Sequence, residues 1–74
     1  NATTSIKYQV ESIKQIVLVV FDILGKEVTT LVNERQGAGT YEINFDGSNL
    51  ASGIYFYKFV AGEFIQTRKM VLLK

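Results

Sequence analysis

The segment Tyr41-Glu42-Ile43-Asn44-Phe45-Asp46 decides the fold, because apolar and polar side chains alternate along it without interruption. Successive side chains of a β-strand point to opposite faces, so this pattern predicts a strand with one buried face. No stretch of the chain shows the sustained 3.6-residue apolar stripe of an amphipathic helix. We therefore predict an all-β domain, in which only residues 48–51 have the composition for a single helical turn.

Five further strands are predicted on either side of this segment. Their approximate ranges are 6–10, 15–22, 27–32, 54–60 and 64–73. The strand at 15–22 is rich in β-branched residues and apolar on both faces. Short strands at this spacing, separated by Gly turns, predict an immunoglobulin-like sandwich of two antiparallel sheets with about six to seven strands.

The turns between these strands have recognisable compositions. Asp22-Ile23-Leu24-Gly25 places Asp first and Gly fourth, as a type I turn prefers, so it predicts a hairpin. The polar stretch 33–39 is predicted to connect the third and fourth strands. The loop 46–53 is dense in turn-forming residues, with Leu50 as its only large apolar anchor.

Alternation along the strands also predicts which side chains form the core. Burial of each contributes about 1.5–3 kcal/mol, and ordering costs of about 1.5 kcal/mol per residue cancel most of it. We therefore expect a stable domain whose free energy of unfolding is small. The predicted core is Ile6, Tyr8, Ile16, Leu18, Val20, Val28, Leu31, Tyr41, Ile43, Phe45, Tyr55, Tyr57 and Phe59.

Apolar side chains remain on the other face of two predicted strands. They are Val17, Val19 and Phe21 on one strand, and Ile54 and Phe56, next to Lys58, on the other. In a sandwich this face meets water. One interpretation is an ordinary strand face partly covered by loops. The other is a patch covered by another chain, either a receptor or a second copy in a homodimer of the isolated domain.

Composition excludes several classes of function. The 74 residues include no Cys and no His, which removes disulfides, thiolate metal sites and Ser-His-Asp catalysis. The net charge of +1 gives no field for nucleic acid. The longest apolar run, 16–21, is too short for membrane insertion, and the first residues do not resemble a signal peptide. The chain is thus expected to be soluble, or a piece of a larger secreted protein.

We find no pattern typical of a catalytic, cofactor or metal site. Asp22 and Asp46 occupy turn positions where Asp accepts backbone hydrogen bonds, and the loop at 46–49 lacks the spacing of a calcium hand. The Gly-x-Gly at 37–39 precedes a strand, not a helix, so it is not a dinucleotide fingerprint. Tyr55 and Tyr57 suit core packing better than the stacking of bases or sugars.

Arg68 and Lys69 are the most informative charges. Neighbours on a strand point to opposite faces, so one of them aims inward unless a bulge intervenes. They either keep an edge strand from aggregating or are recognised by a partner, and composition does not choose between the two.

Several blocks, in order along essentially the whole chain, resemble the type A C-terminal sorting domain of type IX secretion cargo. The block at 45–55 also resembles the immunoglobulin-like module of flagellar hook-capping proteins. The blocks are Ile6-Lys7-Tyr8, the residues 20–28, 31–34 and 38–41, Phe45-Asp46-Gly47 through Gly53-Ile54-Tyr55-Phe56-Tyr57, and Gln66-Thr67-Arg68-Lys69-Met70-Val71-Leu72-Leu73-Lys74.

The resemblance implies a domain without catalytic activity that ends a larger protein and directs it through the periplasm of a diderm bacterium to the cell surface or medium. The implied partners are the type IX outer-membrane translocon, a shuttle protein and a sortase-like peptidase that removes the domain. The family's usual Asn-Pro-rich start is missing here, since Asn1-Ala2 precedes Thr3. The recognition residues it implies are Gly53, Tyr55, Lys69, Met70, Val71, Leu72, Leu73 and Lys74, and the neighbouring charge Arg68 completes the predicted set.

Two hypotheses therefore make different predictions for the C-terminal residues. A sorting signal predicts that deleting the last few residues abolishes export without unfolding the sandwich. An immunoglobulin-like structural or adhesion module, for example one that binds carbohydrate, predicts that the same deletion causes no transport defect.

Overall fold

The computed structural model describes residues 3–73, which form six strands and no helix. The prediction of an all-β sandwich of two antiparallel sheets is confirmed. Since the described part has no helix, it also has none long and apolar enough to cross a membrane. The strands are β1 (Thr3–Val10), β2 (Lys14–Asp22), β3 (Glu27–Gln36), β4 (Gly39–Asp46), β5 (Gly53–Ala61) and β6 (Phe64–Leu72).

The two sheets differ in width. The larger sheet has the strand order β3-β2-β5-β6, and the smaller one consists of β1 and β4 alone. Every pairing is antiparallel. The chain changes sheet after β1, after β3 and after β4, which is typical of a sandwich. Two strands cannot cover four, so part of the larger sheet's inner face has no strand above it.

Strand β3 is longer than the sequence predicts. The stretch 33–39 was expected to be a connection, but residues 33–36 continue β3 and pair with 14–17 of β2. A polar sequence is compatible with β3 because it is an edge strand, where charged side chains limit unwanted pairing. Two register shifts, between Leu18 and Val19 and between Val20 and Phe21, mark bulges opposite β2.

The core forms two clusters between the sheets. Seven of the predicted core residues are buried, namely Ile6, Ile16, Leu18, Val20, Phe45, Tyr55 and Phe59. The other predicted members are half-buried and pack against the clusters: Tyr8, Val28, Leu31, Tyr41, Ile43 and Tyr57. The prediction omitted five buried side chains: Val10, Val19, Val32, Met70 and Leu72.

The predicted turn at Asp22 is confirmed in detail. The N–H of Gly25 donates to the carbonyl of Asp22 at 3.0 Å. The Asp22 carboxylate accepts hydrogen bonds from the N–H groups of Leu24 and Lys26, each at 2.9 Å. Gly25 has φ of 83°, a conformation that residues with a Cβ rarely adopt. The carboxylate is therefore occupied in fixing the β2–β3 hairpin.

Asp46 has a similar role where β4 ends. Its carboxylate accepts a hydrogen bond from the N–H of Ser48 at 2.9 Å. Hydrogen bonds from the backbone and side chain of Ser48 hold the pKa of Asp46 below its usual range. Asp46 thus stays ionised at neutral pH as a turn acceptor, and this contribution to stability is lost as the pH falls through the folded-state pKa.

Candidate functional site

Strand β6 divides its side chains between two environments. It pairs with β5 from Phe64 to Leu72 without a register shift, so its residues alternate strictly between the two faces. Arg68 lies on the inner face, opposite Tyr57, and Lys69 on the outer face, opposite Phe56. The expectation that these two charges point to opposite faces is therefore confirmed.

Three of the predicted recognition residues, Tyr55, Met70 and Leu72, belong to the core. Met70 and Leu72 are buried and pack with Val20, Phe45 and Tyr55, and Leu72 is only 1% exposed. Met70 and Leu72 lie on the same face of β6 as Arg68, but Arg68 is exposed. A partner of the folded domain cannot touch the Leu72 side chain without opening the sandwich.

Gly53 and Tyr55 position the start of β5. Gly53 pairs with Leu72 and has φ of 151°, which favours Gly. A Cβ at Gly53 would meet no atom within 4 Å, so the requirement comes from the backbone conformation. The buried Tyr55 ring directs its hydroxyl to the carbonyl of Ala51, to which it donates at 2.8 Å. Tyr55 thus ties the loop 47–52 to β5, and Gly53 permits the backbone conformation with which β5 begins.

We call the side of the larger sheet that faces away from β1 and β4 the outer face, and its centre is apolar. No strand of the described residues lies over it. Val19 is nevertheless only 9% exposed, so the expectation that it meets water is wrong. It lies in a central strand between Thr30 and Lys58, and long charged side chains cover apolar neighbours. From Val17 of β2 to β6 the outer face comprises Val17, Val19, Phe21, Ile54, Phe56, Lys58, Val60, Ile65, Thr67, Lys69 and Val71.

The outer face changes character from one edge to the other. At β3 it is polar, where the Gln15 amide donates to Asn33 at 2.9 Å and the Thr30 hydroxyl donates to Glu27 at 3.3 Å. In the centre it is apolar. Towards β6 it becomes both apolar and basic.

The β6 side of the outer face contains a group of four residues that we call the terminal patch. Ile54 pairs with Val71 and Phe56 pairs with Lys69, so all four side chains share one face. Ile54, Lys69 and Val71 are exposed and Phe56 is half-buried. Two exposed apolar residues beside a cation form a surface suited to a partner protein. Burial of the apolar side chains removes them from water, and the charge sets the orientation of the partner.

The remaining predicted recognition residues lie at the end of the chain. Leu73 follows β6 and is 68% exposed. Lys74 lies outside the described residues. Of the predicted recognition residues, Lys69 and Val71 therefore share one surface, and Leu73 follows two residues after Val71. Arg68 lies on the opposite face of the sheet.

The described residues contain no group of three His, Cys, Asp or Glu side chains that could hold a metal ion. Asp22 and Asp46, whose carboxylates fix turns, have no geometry suited to catalysis. The surface of β6 combines exposed apolar side chains with positive charge, as does the β2–β3 turn with Ile23, Leu24 and Lys26.

Comparison with known families identifies the family of the chain. The model of the secretion system C-terminal sorting domain matches residues 1–73. The chain belongs to this family. No curated protein and no solved structure is significantly similar to the chain.

The sorting domain is a C-terminal signal for type IX secretion, and its family is not a family of enzymes. It directs protein to the cell surface or the medium of a diderm bacterium, and so interacts with the secretion machinery. No observation favours an adhesion module. The predicted recognition residues do not include Ile65 and Thr67, although both share the outer face with Lys69. The alternation of side chains along β6 was sufficient to place them there.

Proposed function

We propose that the machinery recognises the terminal patch of the folded sorting domain. The proteins that bind the patch are the type IX outer-membrane translocon and its shuttle protein. In this proposal residues 1–74 form the last domain of a larger secreted protein, and a sortase-like peptidase removes it after export. The family match supports a role at the end of a cargo protein.

The observation that carries this proposal is the composition of the patch from two distant segments. Ile54 and Phe56 come from β5, and Lys69 and Val71 come from β6. In an unfolded chain these side chains are far apart, whereas strand pairing holds them as neighbours on one face. A partner that binds all four therefore distinguishes the folded domain from its unfolded form.

Charge reversal combined with loss of an apolar contact tests this proposal. The chain is fused behind a periplasmic reporter in a bacterium that has the type IX machinery, and surface display is measured. We expect the double variant Lys69→Glu, Val71→Ser to lower surface display by about tenfold, as a loss of about 1.4 kcal/mol of recognition free energy would do. Both side chains are exposed, so the fold should persist.

The matched control is Lys26→Glu, an exposed charge reversal in the β2–β3 turn, which should export normally. A known sorting domain fused to the same reporter verifies the machinery of the strain. Normal export of the double variant would disprove recognition through the patch. Circular dichroism of both purified variants separates a recognition defect from unfolding.

We also propose that the isolated domain forms a homodimer through the outer face, because no strand of the described chain lies over it and Ile54, Ile65 and Val71 are exposed there. Sedimentation equilibrium should show a dimer whose dissociation constant rises in Ile65→Lys and Val71→Lys variants, both at exposed positions of the outer face. Lys26→Glu again serves as the control. A wild-type chain that stays monomeric at millimolar concentration would contradict the dimer.

A further inference from the structure

A second surface lies between the sheets, where the smaller one ends. On β6 the residues Phe64, Gln66 and Arg68 lie on the same inner face of the strand as Met70 and Leu72, yet all three are exposed. Nothing in the described chain covers them, because β1 is the outermost strand of the smaller sheet on this side. The space forms an open cleft of about 410 Å³, which we call the β1–β6 cleft.

One wall of the cleft is the free edge of β1. At the residues that line the cleft, 6–9, this strand pairs only with β4, so alternate N–H and C=O groups along its other edge there have no strand partner in the described chain. Tyr57 and Phe59 of β5 and Phe64, Gln66 and Arg68 of β6, all on the inner face of the larger sheet, form the floor. Adjacent strands are about 4.8 Å apart, so the place beside β1 and above β6 has the width of one strand.

The lining of the cleft specifies the chemistry of its occupant. Tyr8 and Phe59 have ring centroids 4.9 Å apart, and Phe59 continues to Phe64 at 6.4 Å. The Tyr8 hydroxyl donates to Gln36 at 2.7 Å, and burial raises the pKa of this hydroxyl, which keeps it neutral. This floor favours apolar side chains on the facing side of an added strand.

Charge adds a second requirement. The charged residues that line the cleft are Lys7 and Arg68, and no carboxylate is among its lining residues. A carboxylate on an added strand, at the position next to Arg68, would neutralise that cation and accept its hydrogen bonds. Opposite charges on neighbouring strands are favourable and like charges are not.

We propose that an extended, acidic-apolar segment of another protein adds to β1 as the third strand of the smaller sheet and fills the β1–β6 cleft. Its apolar side chains cover Phe59 and Phe64, and its carboxylate meets Arg68. This site lies on the opposite side of the larger sheet from the terminal patch, so it is independent of the proposed recognition there. A second copy of the chain fits less well, because β1 (TTSIKYQV) contains no carboxylate that could meet Arg68 and would add a further Lys7 to a basic cleft.

A peptide titration tests the proposal. The probe is an acetylated and amidated peptide, Thr-Val-Thr-Val-Thr-Glu-Thr-Val, which is as long as β1. It is added to the ¹⁵N-labelled chain up to millimolar concentration, and amide chemical shifts are followed. We expect shifts at residues 5–9 of β1 and 64–68 of β6, while the outer-face positions 17–19 stay unchanged.

Exchange of the charges makes the test specific. Replacing Glu by Lys in the peptide, or Arg68→Glu in the chain, should each weaken binding by about fivefold, and combining the two should restore it. A peptide N-methylated along the edge that pairs with β1 should not bind, because it cannot donate to the strand. Arg68 is exposed, so Arg68→Glu should fold.

Four results would overturn the proposal. They are shifts centred outside the cleft, the absence of shifts at millimolar peptide, equal binding of the Glu and Lys peptides, and binding that N-methylation leaves unchanged. Concentration-dependent shifts of β1 without peptide would instead assign the edge to a second copy of the chain.

Discussion

The Leu72→Ala substitution is expected to lower the free energy of unfolding by about 2–5 kcal/mol. Leu72 is 1% exposed and packs in the cluster that contains Val20, Phe45 and Tyr55, so its truncation leaves a cavity between the sheets. A domain of 74 residues has a total stability of only about 4–11 kcal/mol. Urea denaturation followed by circular dichroism should show a much lower midpoint with a similar slope.

The neighbouring residue provides the control. Leu73 has the same side chain but is 68% exposed, so Leu73→Ala should change stability by no more than about 0.5 kcal/mol. Equal losses at both positions would mean that β6 does not hold one register on β5. A larger loss for Leu73→Ala would indicate a slip of one residue, which exchanges the two faces of a strand.

This result changes how a C-terminal deletion must be interpreted. From the sequence, removal of the last few residues was expected to abolish export without unfolding the sandwich. The burial of Leu72 contradicts the second part, because a deletion that includes it removes part of the core. Point substitutions at Lys69 and Val71, both exposed, separate recognition from folding where a deletion does not.

Strand alternation was sufficient to predict the strands and most of the core. Ile43 and Phe45 face the other sheet, as their spacing indicates, and the buried central strand β2 follows from its β-branched run. The turn at Asp22 follows from the preference of Asp and Gly for particular turn positions. These features are local, so a short stretch of sequence determines them.

The width of each sheet could not be predicted in the same way. Phe64 and Leu72 have equal parity and similar hydrophobicity, yet Phe64 is 57% exposed and Leu72 is buried. The difference depends on where β1 and β4 lie above the larger sheet, and this arrangement involves residues far apart in the sequence. The alternation of side chains along the strands therefore predicted neither the β1–β6 cleft nor the burial of Met70.

The candidate site was predictable as a segment but not as a surface. The resemblance covers the residues from Arg68 to Lys74 as one block, whereas the sheet assigns Arg68, Lys69 and Leu72 to three environments. The contribution of Ile54 and Phe56 depends on the pairing of β5 with β6, which a linear motif does not contain. Recognition of a folded surface therefore requires the structure as well as the motif.

The order of passenger and sorting domain should decide whether export occurs at all. With a reporter placed before Asn1 we expect surface display, and with the same reporter placed after Lys74 we expect none. Strand β1 belongs to the smaller sheet, about 10 Å from the larger one, so a preceding passenger joins the layer opposite the outer face. A following passenger begins only three residues after Val71, or about 10 Å in an extended chain, and obstructs the terminal patch.

Folding should be equal in the two fusions, because Leu72 keeps its pairing with Gly53 in either order. Thermal melts of the purified fusions verify this, and protease accessibility on intact cells measures display. A flexible Gly-Ser linker of about 20 residues after Lys74, which spans about 25 Å on average, moves the reporter away from the patch. Display should then recover in part if obstruction is the cause. Equal display from both orders without a linker would contradict recognition at the terminal patch, since the reporter would then cover the surface that the machinery is proposed to bind.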